Sequence, residues 1–290
     1  MGQEHHKPAY QPIAVVGMGC RLPGDANSPQ AFWELLCEGR DAIGDVPSDR
    51  WNQAYFYADD RVQAGALISP QGGFLKNIQA FDAGFFGISP TEAAYMDPQQ
   101  RLLLQVSWEA LEQGGIAADH WAGRSVGVFT GCFAADYWMM QFLDPLELGA
   151  YSASGMTNNM LANRISHAFD FRGPSVALDS ACSASLTAVH QACMSLQCGE
   201  SDMALAGGIM LMLLPDMHIA ETKTGFLSRD ARCQAFAANA NGYVRSEGCG
   251  IIVLKRLEDA LAQGDNIQGI IAGSAINQDG RTLGITLPNG

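Results

Sequence analysis

Basic residues are scarce in this sequence. Its 290 residues include 17 lysines and arginines against 30 aspartates and glutamates, a formal net charge of −13. Nucleic acid and anionic membrane surfaces both reward a basic footprint, so neither is expected as a main partner. Long apolar runs are missing too. The longest, Met203 to Leu214, is broken by Pro215 and falls short of the roughly 20 residues that a spanning helix needs; it reads as buried core. The opening residues MGQEHHKPAYQP lack the basic and then apolar stretches of a secretory signal, and His6 stands where a myristoylation start requires Ser or Thr. No fixed-period repeat and no low-complexity linker interrupts the chain.

The eight cysteines, Cys20, Cys37, Cys132, Cys182, Cys193, Cys198, Cys233 and Cys249, form no C-x-x-C pair. The six histidines do not cluster near them at zinc-ligand spacing, so no metal site is expected. Without a secretory signal, the thiols are expected to be reduced and the protein cytoplasmic. A cysteine in such a chain is ordinarily a small buried apolar residue.

What is present is a 48% hydrophobic composition with 32 glycines, enough to bury a large core and make many tight turns. Residues 1–10 read as a mobile tail. PIAVVGMG (12–19) reads as a buried strand and turn; the pair Gly17 and Gly19 lacks the third glycine and following helix of a nucleotide loop. SPQAFWELLCEG (28–39) carries Ser28 as N-cap and Pro29 in the first turn, a helix closed by Gly39. MDPQQRLLLQVSWEALEQGG (96–115) repeats the device with Asp97 and Pro98, a stripe of Leu104, Trp108 and Leu111, and Gly114 as stop. RSVGVFTG (124–131), DMALAGGIMLML (202–213), GCGIIVLKRL (248–257) and IQGIIAGSAIN (267–277) read as further strands, with a helix at EDALAQG (258–264). Strands alternate with helices, so the class is α/β with a largely buried sheet.

One cysteine has unusual neighbours. PSVAL (174–178) is strand-like, DSACSASL (179–186) is a run of small residues, and a helical pattern follows to Gly199. In that pattern Leu186, Val189, Cys193 and Leu196 form one stripe and Ala184, Ala188 and Ala192 a second that permits close packing. Cys182 is therefore expected at a strand-to-helix turn, at or within one residue of the helix N-terminus. Unpaired N–H groups and the helix dipole there favour a thiolate. The same donors can hold the oxyanion formed when a thioester carbonyl is attacked. Ala181, Ser183 and Ala184 leave room for an acyl group, the logic of a nucleophile elbow with a thiol. A cysteine hydrolase with a local histidine is the rival, but His190 lies about 12 Å of helix rise from Cys182. His120, His167 and His218 read as structural or surface residues.

Four long segments, in order, carry a resemblance: VGMGCRLPGDANSPQAFWELLCEGRDAIGDVPSDRW, FDAGFFGISPTEAAYMDPQQRLLLQVSWEALEQGGI, ANRISHAFDFRGPSVALDSACSASL and GSAINQDGRTLGITLPNG. They resemble the ketosynthase (β-ketoacyl synthase) domain of modular type I polyketide synthases, from about Pro12 to Gly290. The resemblance implies a thiolase-like fold of layered α/β/α/β/α architecture, with residues 11–265 as a complete first half and 266–290 as the start of the second. It implies a homodimer in which the strand around Ser175–Leu178 pairs with its partner. It makes Cys182 the nucleophile that accepts an acyl group from the phosphopantetheine of an acyl carrier protein and condenses it with a malonyl-type extender after decarboxylation. The expected partners are that carrier and other polyketide synthase domains, and no cofactor is expected to be bound by the domain itself. Glu221 and Phe226 are expected near the acyl pocket, Glu221 at an aromatic position of the family, and Glu247 is expected to be structural.

The family's two histidine motifs, HGTGT and NxGH, lie downstream of the final Pro288-Asn289-Gly290, as do a lysine and a glycine-rich loop. The expectation is a ketosynthase whose condensing residues lie outside this sequence. Where the family reads LSPDGRCKAFDA, this chain reads LSRDARCQAFAA, so Arg229, Ala231 and Ala237 replace a proline, a glycine and an aspartate. A truncated or non-elongating ketosynthase with a dimerising role is the alternative. A thiolase acting on coenzyme A is disfavoured by MDPQQR and NQDGRT.

Overall fold

The structure is a computed structural model that describes residues 11–60 and 63–289. The tail expected over residues 1–10 lies outside the described residues. The strands are β1 (Ile13–Arg21), β2 (Gly44–Asp45), β3 (Gln71–Gly72), β4 (Val126–Cys132), β5 (Ser175–Leu178), β6 (Met203–Met210), β7 (Gly248–Arg256) and β8 (Gly269–Ile271). Six form one mixed sheet in the order β5-β4-β6-β7-β1-β8, and β2 pairs with β3 in a small ribbon. β5, β4 and β6 run parallel, while β7 is antiparallel to both β6 and β1.

Helices cover both faces. On one side, Pro98–Gln113 and Met160–Ala168 pack through Leu103, Val106, Leu161 and Ile165 onto Val16, Val128, Leu205 and Val253. Asp97 begins the first of these, its Oδ1 accepting from the Gln99 N–H at 2.8 Å, and Gly114 ends it. On the other side, the Ala184–Gln197 helix packs on Phe129, Ala204, Ala206 and Leu254. Alternate residues of one strand feed the two cores: Leu205 enters the first and Ala204 and Ala206 the second.

The helix residues that face the sheet are Ala184, Ala188 and Ala192 with Cys193 and Leu196. Leu186, expected in the apolar stripe, is 74% exposed. The reason is the closeness of the contact. Small alanines let the helix backbone approach the sheet, and that rotation turns Leu186 outward.

Two expected strands are shorter than read. The run 202–213 leaves the sheet after Met210, because the next N–H groups bond to side chains: Leu211 to Gln99 Oε1 (3.2 Å), Met212 to Glu247 Oε1 (2.9 Å), and Leu213 and Leu214 to Asp136 Oδ2 (2.9 and 3.0 Å). The run 267–277 is a strand only over Gly269–Ile271, the three residues that pair with Val15, Ala14 and Ile13. No strand among the described residues lies beside 272–277. The helix Asp216–Thr224 has no apolar stripe in its sequence, and of its side chains only His218 and Thr222 are buried.

Candidate active site

β5 ends at Leu178 and the chain turns sharply. Asp179 Oδ1 accepts from the Ala181 N–H at 2.8 Å, and Ala181 takes φ 53°, a left-handed conformation costly for a residue with a Cβ. Ala181–Ser183 form one 3₁₀ turn, and Ser183 is the N-cap of the Ala184–Gln197 helix. Within the turn the Ser183 hydroxyl donates to Ser180 O at 2.9 Å, and the Ser180 and Thr187 hydroxyls lie 3.1 Å apart. Cys182 is the middle residue of this strained turn, one position ahead of the helix cap, and its side chain is exposed.

Cys182 opens onto a cavity of about 480 Å³. The floor of that cavity is a row of glycines. Gly131 of β4 sits opposite Gly208 of β6, which sits opposite Gly250 of β7, and all three line the space. Gly208 has a second duty, because a Cβ there would come within 2.9 Å of Gly131 O and Ser185 Cβ. A Cβ on Gly131 would run into the Ala184 backbone. These two glycines let the first turn of the helix rest on the sheet ends, which sets Cys182 at the cavity edge. Reading the sequence for strands passed over this row; its signal was FTGC, AGG and GCG, glycines inside otherwise good strands.

Part of the cavity lining is polar. Glu221, on the helix Asp216–Thr224, and Arg245 both line the cavity and form an ion pair of 3.1 Å between Oε2 and Nε, their side chains 13% and 6% exposed. The Tyr243 phenol faces the same space; burial, then the Glu221 carboxylate, push its pKa up. Behind Arg245, His218 Nδ1 accepts from an Arg245 terminal nitrogen at 3.1 Å, and the imidazole leans on Trp51 with ring centres 5.1 Å apart. Burial, with Arg245 adding to it, holds His218 down to about 3, so the ring is neutral.

Glu221 therefore shares the cavity with Cys182, whereas Phe226 does not line it. Phe226 follows the left-handed Gly225, 38% exposed, its backbone bonded to Glu221 O and the Tyr243 N–H. Glu247 reaches the cavity wall but is 3% exposed, accepting from the Leu75 and Met212 N–H groups at 2.7 and 2.9 Å and paired with Arg50. Burial pushes its carboxyl up while Arg50 opposes it, and it holds two loops rather than facing a reactant. The other cavity thiol, Cys132, is buried and pushed up to about 11 by that burial. No histidine lines the cavity, and His190 is bound to Ser274 Oγ at 2.9 Å, so the local-histidine arrangement is not formed among the described residues. The described residues contain no group of side chains able to hold a metal ion.

The altered 229–237 loop keeps a definite shape. Ser228 Oγ, Asn241 and Asp230 form a hydrogen-bonded chain with links of 2.6 and 2.7 Å. Ala231 takes φ 49° where the family pattern has glycine, so this position demands a left-handed residue and is filled by one that pays for it.

Comparison with known proteins fits this geometry. The family model of the β-ketoacyl synthase N-terminal domain matches residues 10–260. The chain belongs to the β-ketoacyl synthase family. It is 49% identical over 279 residues to one phenolphthiocerol/phthiocerol polyketide synthase polypeptide of Mycobacterium tuberculosis, covering 96% of this chain and 18% of that one. With a second polypeptide of the same synthase and species the identity is 50% over 288 residues, covering 98% and 13%. Among solved structures, the ketosynthase from module 6 of the bacillaene synthase of Bacillus subtilis 168 superposes with a TM-score of 0.86 at 40% identity, covering 96% of this chain and 46% of that one. The oxazolomycin ketosynthase domain of Streptomyces albus JA3453 gives 0.89 at 37% identity, covering 96% and 48%. The fold of this β-ketoacyl synthase chain is thus thiolase-like, and the chain spans about half the length of those ketosynthase structures.

Proposed function

We propose that this chain supplies the acyl-accepting site of a β-ketoacyl-[acyl carrier protein] synthase in polyketide assembly, with Cys182 as nucleophile. The observation that carries the reading is an exposed thiol in a strained turn, opening onto a glycine-floored cavity. The Cys182 sulfur attacks the thioester carbonyl of an acyl group held on the phosphopantetheine of a carrier protein. Backbone N–H groups at the start of the helix stabilise the oxyanion. The new S–C bond forms as the carrier's S–C bond breaks, and the carrier thiol leaves with the proton. Decarboxylative condensation with a malonyl-type extender follows, using residues beyond those of this sequence. Gly131, Gly208 and Gly250 leave the acyl chain its room.

Eight free cysteines suit a reducing, cytoplasmic setting. No helix among the described residues is long and apolar enough to cross a membrane. The open edge of β5 and the 42% exposed Val176 on it suit pairing with a second copy. Intact-mass measurement of the native polypeptide incubated with an acyl thioester is expected to show one acyl adduct, mapped to Cys182. Cys182→Ala should abolish the adduct, and an adduct that persists in that variant would remove the proposal.

A further inference from the structure

Part of the cavity wall is charged where an alkyl chain would want an apolar surface. Glu221 and Arg245 are both nearly buried and both face the cavity. Their pairing is incomplete. Arg245 Nε approaches Glu221 Oε2 at 3.1 Å, yet Oε2 receives no aligned hydrogen bond and is sealed from water. The Arg245 guanidinium is drawn the other way by His218 Nδ1, and His218 is pinned by Trp51. The Tyr243 phenol also hydrogen-bonds to this carboxylate, so the acceptor capacity left over is at Oε2, and the final torsion of a glutamate is broad. Turning Oε2 towards the cavity breaks no aligned hydrogen bond and gives up only its 3.1 Å contact with Arg245 Nε.

An acyl chain that fills the cavity lies against this charged wall. A saturated chain lays methylenes against a carboxylate and offers nothing in return, which is costly in a buried setting. A chain with a hydroxyl donates to the carboxylate and recovers the loss. A carboxylate-bearing chain would be repelled.

We infer that Glu221 is a specificity-determining residue that selects acyl groups carrying a hydroxyl donor over fully saturated ones, with Arg245 and Tyr243 holding it in the wall of the cavity. The inference rests on the acyl-accepting reading of Cys182.

The test is the rate of Cys182 acylation in the native polypeptide by N-acetylcysteamine thioesters of hexanoic, 3-hydroxyhexanoic and 5-hydroxyhexanoic acid, followed by intact mass. At least one hydroxylated chain should load about tenfold faster than hexanoyl, the ratio that a hydrogen bond to a charged group commonly gives. In Glu221→Leu the ratio should fall to about one. Because that variant leaves Arg245 buried without its carboxylate, the paired variant Glu221→Leu/Arg245→Met is measured beside it; replacing both charges by apolar residues is often neutral for folding. Equal loading of all three thioesters by the unaltered protein overturns the inference while leaving the acyl-accepting reading in place. So does a preference that survives in the folded paired variant. Absence of any adduct on Cys182 overturns the reading and the inference with it.

Discussion

Asp97 is 3% exposed, yet it caps a helix and accepts from both the Gln99 N–H and the Gln99 side chain. Burial outweighs those hydrogen bonds and pushes its carboxyl from 3.8 up to about 6. The folded state then holds the proton more tightly than the unfolded chain does. Its contribution to stability is complete below about pH 3.8 and is lost as the pH rises through about 6. An asparagine at this position would keep the capping oxygen and could not ionise. Urea denaturation of Asp97→Asn and the unaltered protein is therefore expected to give a difference that shifts towards the variant by about 1.4 kcal/mol between pH 5 and pH 7, one pKa unit's worth. It should be level above pH 7, and a difference that does not change with pH would contradict the assignment. The cap itself was legible, because Asp-Pro before an apolar helical pattern has few other meanings. The shift was not, since it depends on burial by the fold and on the charge of Asp136, which lies 39 positions along the chain.

The glycine row shows the same division one level up. β4, β6 and β7 were each readable from apolar runs, but their mutual register, which puts Gly131, Gly208 and Gly250 side by side, is a property of pairing and not of any one strand. That register makes the three glycines unequal. A Cβ on Gly208 meets Gly131 O and Ser185, and cannot be accommodated unless the Ala184–Gln197 helix lifts off the sheet. A Cβ on Gly250 meets nothing within 4 Å and projects into open space. Gly208→Ala is expected to lose about 1–3 kcal/mol of stability, the usual cost of overpacking, and to slow Cys182 acylation for every thioester. Gly250→Ala is expected to keep its melting temperature and to slow only the bulkier acyl groups. Thermal melts read beside acylation rates across a chain-length series would separate the two, and equal behaviour of the variants would mean that the row does not form the cavity floor. The helix carrying Glu221 lies at the opposite extreme of legibility. DMHIAETKT has no apolar stripe, so only its docking by His218 and Thr222 reveals it, and with it the charged wall.

For the molecule as a whole, the layered α/β class and the strand-turn-helix around Cys182 followed from patterns local in the sequence: β-branched runs, capping residues and a cluster of small side chains. What local patterns do not encode is which edges stay open. The sheet ends at β8 on one side, against β1, and at β5 on the other, where a short, half-buried strand offers unpaired backbone groups. Exposed edges are normally blunted by charge or proline, and SVAL carries neither. If two copies pair along β5 around a two-fold axis, residues near the middle of the strand face their own counterparts, and like charges placed there repel. Val176→Lys is therefore expected to shift the native polypeptide from dimer towards monomer in sedimentation velocity, more so at low salt, where the repulsion is least screened. Leu261→Lys places the same charge on a 65% exposed position of the Leu257–Gln263 helix, away from that edge, and should leave the dimer unchanged. A dimer that withstands the Val176 charge, or one that both substitutions weaken equally, would show that β5 is not the seam and that some other surface brings the copies together.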